Sequence, residues 1–285
     1  MAKPAKGREP RPLSFYLLAA FFGLFVLFLY GPIATIVILS FQGPNGGLTF
    51  PMNGVSTHWF HNLFQQQAVG DFGGALTRSV SLGLIVMVVT VLFSVAAGLG
   101  FRHRFRGSGV IFYIAVASLI VPSILVSLGI GLMFNIVGVE PNWFSSGLGA
   151  HLTWTLPFGL LIMFAIFNRF NRAYEEAARD LGATPWQTIR FVVLPIIAPS
   201  VIGIALFGFT LSYDEFARTL MTAGSFNTLP LEIYGMTTNV TTPVLYALGT
   251  LTTALSFLVI LAALGGVLLV QRRRARLGSD AGVGV

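Results

Sequence analysis

The chain contains no cysteine. Without a thiol there is no disulfide framework, no thiolate metal site and no cysteine nucleophile. Charge is nearly as scarce: charged residues make up 9% of the 285 positions, against roughly 25% in a typical soluble domain. So few charges could not cover a water-facing surface of this size, which excludes soluble-enzyme, disordered and fibrous classes. The only lysines are Lys3 and Lys6, and no G-x(4)-G-K-[ST] stretch occurs. The phosphate-cradling loop of an ATPase is therefore not in this chain. The histidines His58, His61, His103 and His151 form no HExxH pair. His58 and His61 could share a metal, but no acidic cluster accompanies them, and no metal site is assigned. No Ser-His-Asp or Cys-His set is suggested by spacing, so no catalytic residue is assigned and the chain is not expected to be an enzyme.

What the chain has is apolar length, with hydrophobic residues at 55%. A membrane span needs about 20 mostly apolar residues. Six runs qualify: Leu13–Leu39, Leu76–Phe101, Val110–Val137, Leu148–Phe167, Ile196–Leu211 and Leu245–Val270. The expected fold is all-α and integral to the membrane, with six transmembrane helices. The first run is longer than the roughly 7–15 residues of a signal-peptide core and is read as an uncleaved anchor. Pro32, Pro122 and Pro157 fall inside runs, where each frees a carbonyl and should kink its helix. Ionisable residues within the runs are almost absent, which counts against a proton-coupled secondary transporter.

Charge placement sets the orientation. Lys3, Lys6, Arg8 and Arg11 precede the first run, and Arg102, Arg104 and Arg106 follow the second. Arg169, Arg172, Arg179 and Arg190 follow the fourth, and Arg272, Arg273, Arg274 and Arg276 follow the sixth. Only Arg78 and Arg218 fall on the opposite side, beside Asp71, Glu140, Asp214, Glu215 and Glu232. The positive-inside rule makes the basic side, with both termini, cytoplasmic. The basic clusters are topology signals and imply no nucleic acid. The expected layout is a cytoplasmic tail at 1–12, a first helix at 13–39, an extracytoplasmic loop at 40–74, a membrane domain at 75–270 and a cytoplasmic tail at 271–285. In the loop, Trp59 and Phe60 are candidates for the interfacial aromatic belt.

The loop at 169–195 is the most informative stretch. Glu175 and Glu176 open a short helix, where the macrodipole favours acids. Gly182 suits a left-handed helix end. Thr184, Pro185 and Gln187 form a capping box for a second helix running towards Leu194-Pro195. From composition alone this is equally a docking element or an amphipathic connector.

Glu176-Ala177-Ala178, then Gly182, Val192 and Leu194-Pro195, spaced over 20 positions, resemble the EAA motif of ABC importer permeases. Val192 stands where the family has Ile. The resemblance implies a type I, MetI-like permease core over 75–270 with one extra N-terminal helix, in a bacterial cytoplasmic membrane. It implies that this loop, including Glu175, Glu176, Ala177, Ala178, Gly182, Leu194 and Pro195, couples to a separate ATPase subunit. The implied partners are a second permease of a different sequence, two ATPase subunits that bind ATP and Mg, an extracytoplasmic binding protein and membrane lipid. No cofactor is expected in this chain itself. The stretch Leu211–Phe216, with Thr228–Tyr234, is similar to the polyamine (spermidine/putrescine, PotC-type) branch of that family. Permeases for ferric iron or aminophosphonate share parts of it.

Asp214 and Glu215 follow the fifth run, flanked by Tyr213 and Phe216. Two carboxylates attract a cation, and the rings add cation–π contacts to an amine. They are read as a substrate path, with solvated loop acids or partners of Arg218 as the alternative. Ser123, Ser127, Asn135 and Thr210 either line the path or bond between helices.

Overall fold

The computed structural model describes residues 12–65, 70–102, 105–239 and 242–276. Among the described residues there is no strand, only an isolated bridge between Gln42 and Val55. Lys3, Lys6, Arg8, Arg11, His103, Arg104 and the side chains of Arg273, Arg274 and Arg276 lie outside them. The chain divides into two compact units, Met1–Gln65 with Thr241–Thr252, and Gln66–Val240 with Thr253–Val285.

In the first unit, α1 (Leu13–Leu39) runs unbroken through Pro32 and buries only Leu39. A helix apolar on every side suits lipid rather than water. The loop after it folds around the buried Gln42. Its amide nitrogen donates to Gly47 O (3.1 Å), and its Oε1 accepts from Asn53 N (2.7 Å). Trp59, in α2 (His58–Asn62), donates from Nε1 to Gly43 O at 3.3 Å and is only 9% exposed. It closes this loop from within.

The second unit contains α3 (Phe72–Phe101), α4 (Ser108–Ala117), α5 (Ser123–Ile136) and α6 (Leu148–Arg169), the last entered through a π-helical turn at Trp143–Gly147. Next come α7 (Ala173–Asp180) and α8 (Pro185–Thr188). A second π-helical turn, Ile189–Val193, joins α8 to α9 (Leu194–Tyr213), and α10 (Leu229–Asn239) follows. The last helix, α11 (Val244–Arg276), belongs to both units.

The third run, expected over 110–137 as one helix kinked at Pro122, is two helices. Pro122 lacks an N–H and disfavours helical backbone at the residue before it. The chain accordingly leaves α4 at Ala117 and restarts as α5 after Pro122. At 1.5 Å per residue these helices reach roughly 15 and 21 Å, each short of a bilayer core of about 30 Å. Five helical stretches among the described residues are long and apolar enough to cross a membrane: Leu13–Leu39, Phe72–Phe101, Trp143–Arg169, Pro185–Tyr213 and Val244–Leu269. The protein is a multi-pass membrane protein.

Helices α3, α6 and α9 pack on one another and form the centre of this unit. Lipid supplies no hydrophobic force between helices, so close backbone approach and polar cross-bonds hold them. Helix α3 buries Ala75, Ser79, Gly83, Thr90, Ser94 and Gly98 along one side. A Cβ at Gly98 would lie 2.8 Å from Met163 Cβ, and one at Gly159 would lie 2.1 Å from Ser94 Oγ. Thr90 Oγ1 donates to Thr155 Oγ1 (2.9 Å), and His151 Nδ1 lies 2.7 Å from Ser212 Oγ. Towards α7, the buried side chains of Met163, Val193, Ile197 and Ile204 join Val95, Leu99 and Ile166 in an apolar cluster. Helix α6 continues through Pro157. That proline leaves the Thr153 carbonyl without its helical donor, and Ser118 Oγ lies 2.9 Å from it and 2.7 Å from Ala115 O.

Candidate functional site

Helix α7 lies outside the membrane-length helices, and chemistry fixes both its ends. Glu175 and Glu176 occupy its first turn, where unpaired N–H groups favour negative charge. At the other end Gly182 has φ +84°, its N–H donates to Arg179 O (2.8 Å), and Ala183 N donates to Ala178 O (3.0 Å). These two bonds make a Schellman closure, which needs a left-handed residue at this position. The capping box then starts α8: Gln187 N donates to Thr184 Oγ1 (3.3 Å), and Thr184 N donates to Gln187 Oε1 (2.8 Å). The chain continues through the second π-helical turn, so Leu194 and Pro195 form the first turn of α9.

The two adjacent acids face different surroundings. In a helix successive residues are rotated by about 100°. Glu175 is turned inward, its side chain 13% exposed, and forms an ion pair with Arg102. It also lies 3.9 Å from Arg179, one turn on. The Arg102 guanidinium sits 4.7 Å from the Phe167 ring centre and 5.1 Å from that of Phe170. Glu176 and Ala177 are exposed, and Ala178 is half-buried. Leu181 (89% exposed) and Trp186 (64% exposed) stand on the same loop, and a Cβ at Gly182 would meet nothing within 4 Å. Large apolar side chains thus stand bare around an exposed acid and a bare glycine, an uncommon arrangement on a surface facing water.

At α9's far end the four candidates for a substrate path separate. Tyr213 is buried and stacks on Phe209, with ring centres 5.7 Å apart and planes 11° from parallel. Asp214 is exposed at the helix end, and desolvation by nearby protein raises its carboxyl pKa above the ordinary value. Phe216 is half-buried against Tyr234, 5.1 Å between centres. Glu215 is buried, and its Oε1 accepts from Arg218 N (2.9 Å) while Oε2 lies 3.7 Å from Arg218 Nη1. Burial raises its pKa, against the lowering effect of Arg218. Glu215 thus answers to the alternative named for these acids, a partner of Arg218.

Arg218 is 2% exposed and holds several segments together. Its Nη1 donates to Ser123 Oγ (2.7 Å), its Nε to Thr153 Oγ1 (3.3 Å), and its guanidinium lies 4.4 Å from the Trp154 ring centre. Ser127 Oγ donates to Arg218 O (2.9 Å) and accepts from Met221 N (3.0 Å). Ser123 and Ser127 therefore bond between segments, whereas Asn135 and Thr210 bond to carbonyls of their own helices. In the sequence Arg102 is only a topology charge, and nothing in it places Arg218 against Ser123, Thr153 and Trp154. One signal existed for Glu175: it precedes the motif acid by one residue, so a helix turns it to another face.

Residues 90–276 match the family described as "Binding-protein-dependent transport system inner membrane component". The chain is 31% identical over 257 residues to the spermidine/putrescine transport system permease protein PotC of Haemophilus influenzae, covering 88% of this chain and 96% of that one. It is 30% identical over 239 residues to the putrescine transport system permease protein PotI of Escherichia coli, covering 79% and 81%. A bacterial ABC transporter involved in import of the acidic polysaccharide alginate shares the fold, with TM-score 0.69 and 17% identity over 90% of this chain and 94% of that one. With its membrane-length helices and the capped helix α7 beside them, the chain belongs to the family of inner membrane components of binding-protein-dependent transport systems.

Proposed function

We propose that this chain is the membrane-spanning permease subunit of an ATP-driven importer, with polyamines as its cargo. The observation that carries the reading is α7, with acids in its first turn and Gly182 closing its end, and with Glu176, Ala177, Gly182, Leu181 and Trp186 bare around it. A separate ATPase subunit seats on this surface, and closure of the ATPase pair around ATP and Mg moves α7. The membrane helices then alternate between inward and outward access, receiving cargo from an extracytoplasmic binding protein. A second permease, of different sequence, completes the pathway. The basic loop and both termini face the cytoplasm of a bacterial cell, by the placement of arginine and lysine. This subunit does no covalent chemistry; its work is binding and motion.

The polyamine assignment is supported by the names of the relatives PotC and PotI. It is supported also by Asp214, an exposed carboxylate at the end of a membrane helix. A charge in a partly desolvated mouth attracts a cation more strongly than it would in bulk water. On this reading Asp214 meets the cargo directly, Phe216 flanks it, and Glu215 holds the turn through Arg218. Tyr213 supports the turn from inside the helix packing.

The test is uptake of radiolabelled putrescine and spermidine into proteoliposomes holding the whole transporter. Glu176→Lys should insert normally yet lose both ATPase-subunit recovery and uptake. Asp214→Asn should lower uptake at low polyamine concentration with the complex intact. Uptake that persists without ATP would overturn the importer reading. An anionic cargo would overturn the polyamine reading alone.

A further inference from the structure

A moving α7 needs a route to each helix it is to displace. Two routes are covalent: Phe170–Arg172 joins it to α6, and the turn at 181–184 leads into α8 and α9. Helix α3, the third member of the central packing, has no such connection. The ion pair between Arg102, at the end of α3, and Glu175 joins it to α7 across 73 residues of sequence. It is no ordinary surface pair, because the two side chains are only 12% and 13% exposed. The guanidinium also rests against Phe167 and Phe170, which lead from the last turn of α6 towards Tyr174 on α7. An arginine fits this place because one planar cation serves a carboxylate and two rings, which the compact ammonium of lysine cannot do. Removing either partner leaves a desolvated charge without its counter-ion.

We propose that Arg102 is a positioning residue that fastens α7 to the end of α3, so that displacement of α7 reaches α3 together with the helices it joins covalently. The inference rests on the reading of α7 as the seat of the ATPase subunit. It assigns the two neighbouring acids separate duties, Glu176 towards the ATPase and Glu175 towards the membrane helices.

The experiment uses the complete transporter in proteoliposomes, with Arg102→Ala, Glu175→Gln, their double variant and Arg102→Lys. Recovery of the ATPase subunit, ATP hydrolysis and polyamine uptake are read together. In each single variant the ATPase subunit should be recovered as in the wild type while uptake per ATP falls at least about fivefold, the lower edge of ordinary coupling energies. The double variant should be no worse than either single one, since both remove the same link. Arg102→Lys should fall between Arg102→Ala and the wild type, keeping the charge and losing the stacking. Wild-type uptake per ATP in the single variants, additive losses in the double, or losses that only track reduced complex recovery would each overturn the proposal. Glu176→Lys is the separate arm. If it too recovers the ATPase subunit and transports normally, the seat on α7 falls and takes this inference with it.

Discussion

Gly182 meets two demands, and substitution separates them. Its φ of +84° is left-handed, and a Cβ there would touch nothing within 4 Å of this chain. The chain alone therefore penalises a side chain only through the backbone. Alanine in a left-handed conformation costs about 1–2 kcal/mol, whereas asparagine tolerates it better. A loss of about 1–2 kcal/mol lowers the population of the closed turn by roughly 5–30-fold. If conformation alone mattered, Gly182→Asn would outperform Gly182→Ala. If a partner seats against the bare glycine, a longer polar side chain is worse whatever its backbone preference. We expect the order Gly, then Ala, then Asn and Asp, with Gly182→Asp losing uptake altogether while the protein still inserts. The measurements are ATPase-subunit recovery from solubilised membranes and uptake in proteoliposomes. Recovery and uptake for Gly182→Asn at or above those of Gly182→Ala would refute the argument that this glycine is kept bare for a partner.

Three further outcomes are expected. Arg218→Met should destabilise the protein by about 3–5 kcal/mol by stranding buried Glu215, and adding Glu215→Gln should recover part of that in detergent melting curves; simple additivity would refute the pairing. Gly159→Val should lower the melting temperature, as overpacking against Ser94 and Thr90 costs about 1–3 kcal/mol, and an unchanged melting curve would show that α3 and α6 do not pack this closely. In intact cells a membrane-impermeant thiol reagent should label a cysteine placed at Val55 but not one at Arg106 or Arg179, since the native chain has no cysteine; outward labelling at 179 would reverse the orientation.

The parts of this molecule that sequence made legible are local. The capping box at Thr184–Gln187 and the left-handed Gly182 follow from residue types a few positions apart, and both occur as expected. Apolar length located α1, α3, α6, α9 and α11 within a few residues, because hydropathy records the demand for lipid. At 110–137 the same measure gave one run, and Pro122 marked a kink within it; that the chain leaves the helix altogether there, from Ala117 to Ser123, is set by more than composition. Long-range pairing was not legible. Arg218 reaches Ser123 and Thr153, 95 and 65 positions away, and no periodicity announces that. The acids Asp214 and Glu215 look equivalent in sequence, and only the packed turn separates one exposed carboxylate from one buried ion-paired one.

The bond from Ser118 to the carbonyl above Pro157 has a mechanical meaning. Thr153 is gripped on two sides, its carbonyl by Ser118 of the α4–α5 break and its hydroxyl by Arg218. In water each grip could loosen gradually, with solvent stepping into the gap. Where nothing replaces these partners, an orphaned buried carbonyl or hydroxyl is expensive. The end of α4, the middle of α6 and the turn bearing Arg218 therefore shift either as one body or by exchanging one complete set of partners for another. A proline that would ordinarily soften a helix is here braced from outside, so the carbonyl it frees becomes the fastening between the end of α4 and the middle of α6.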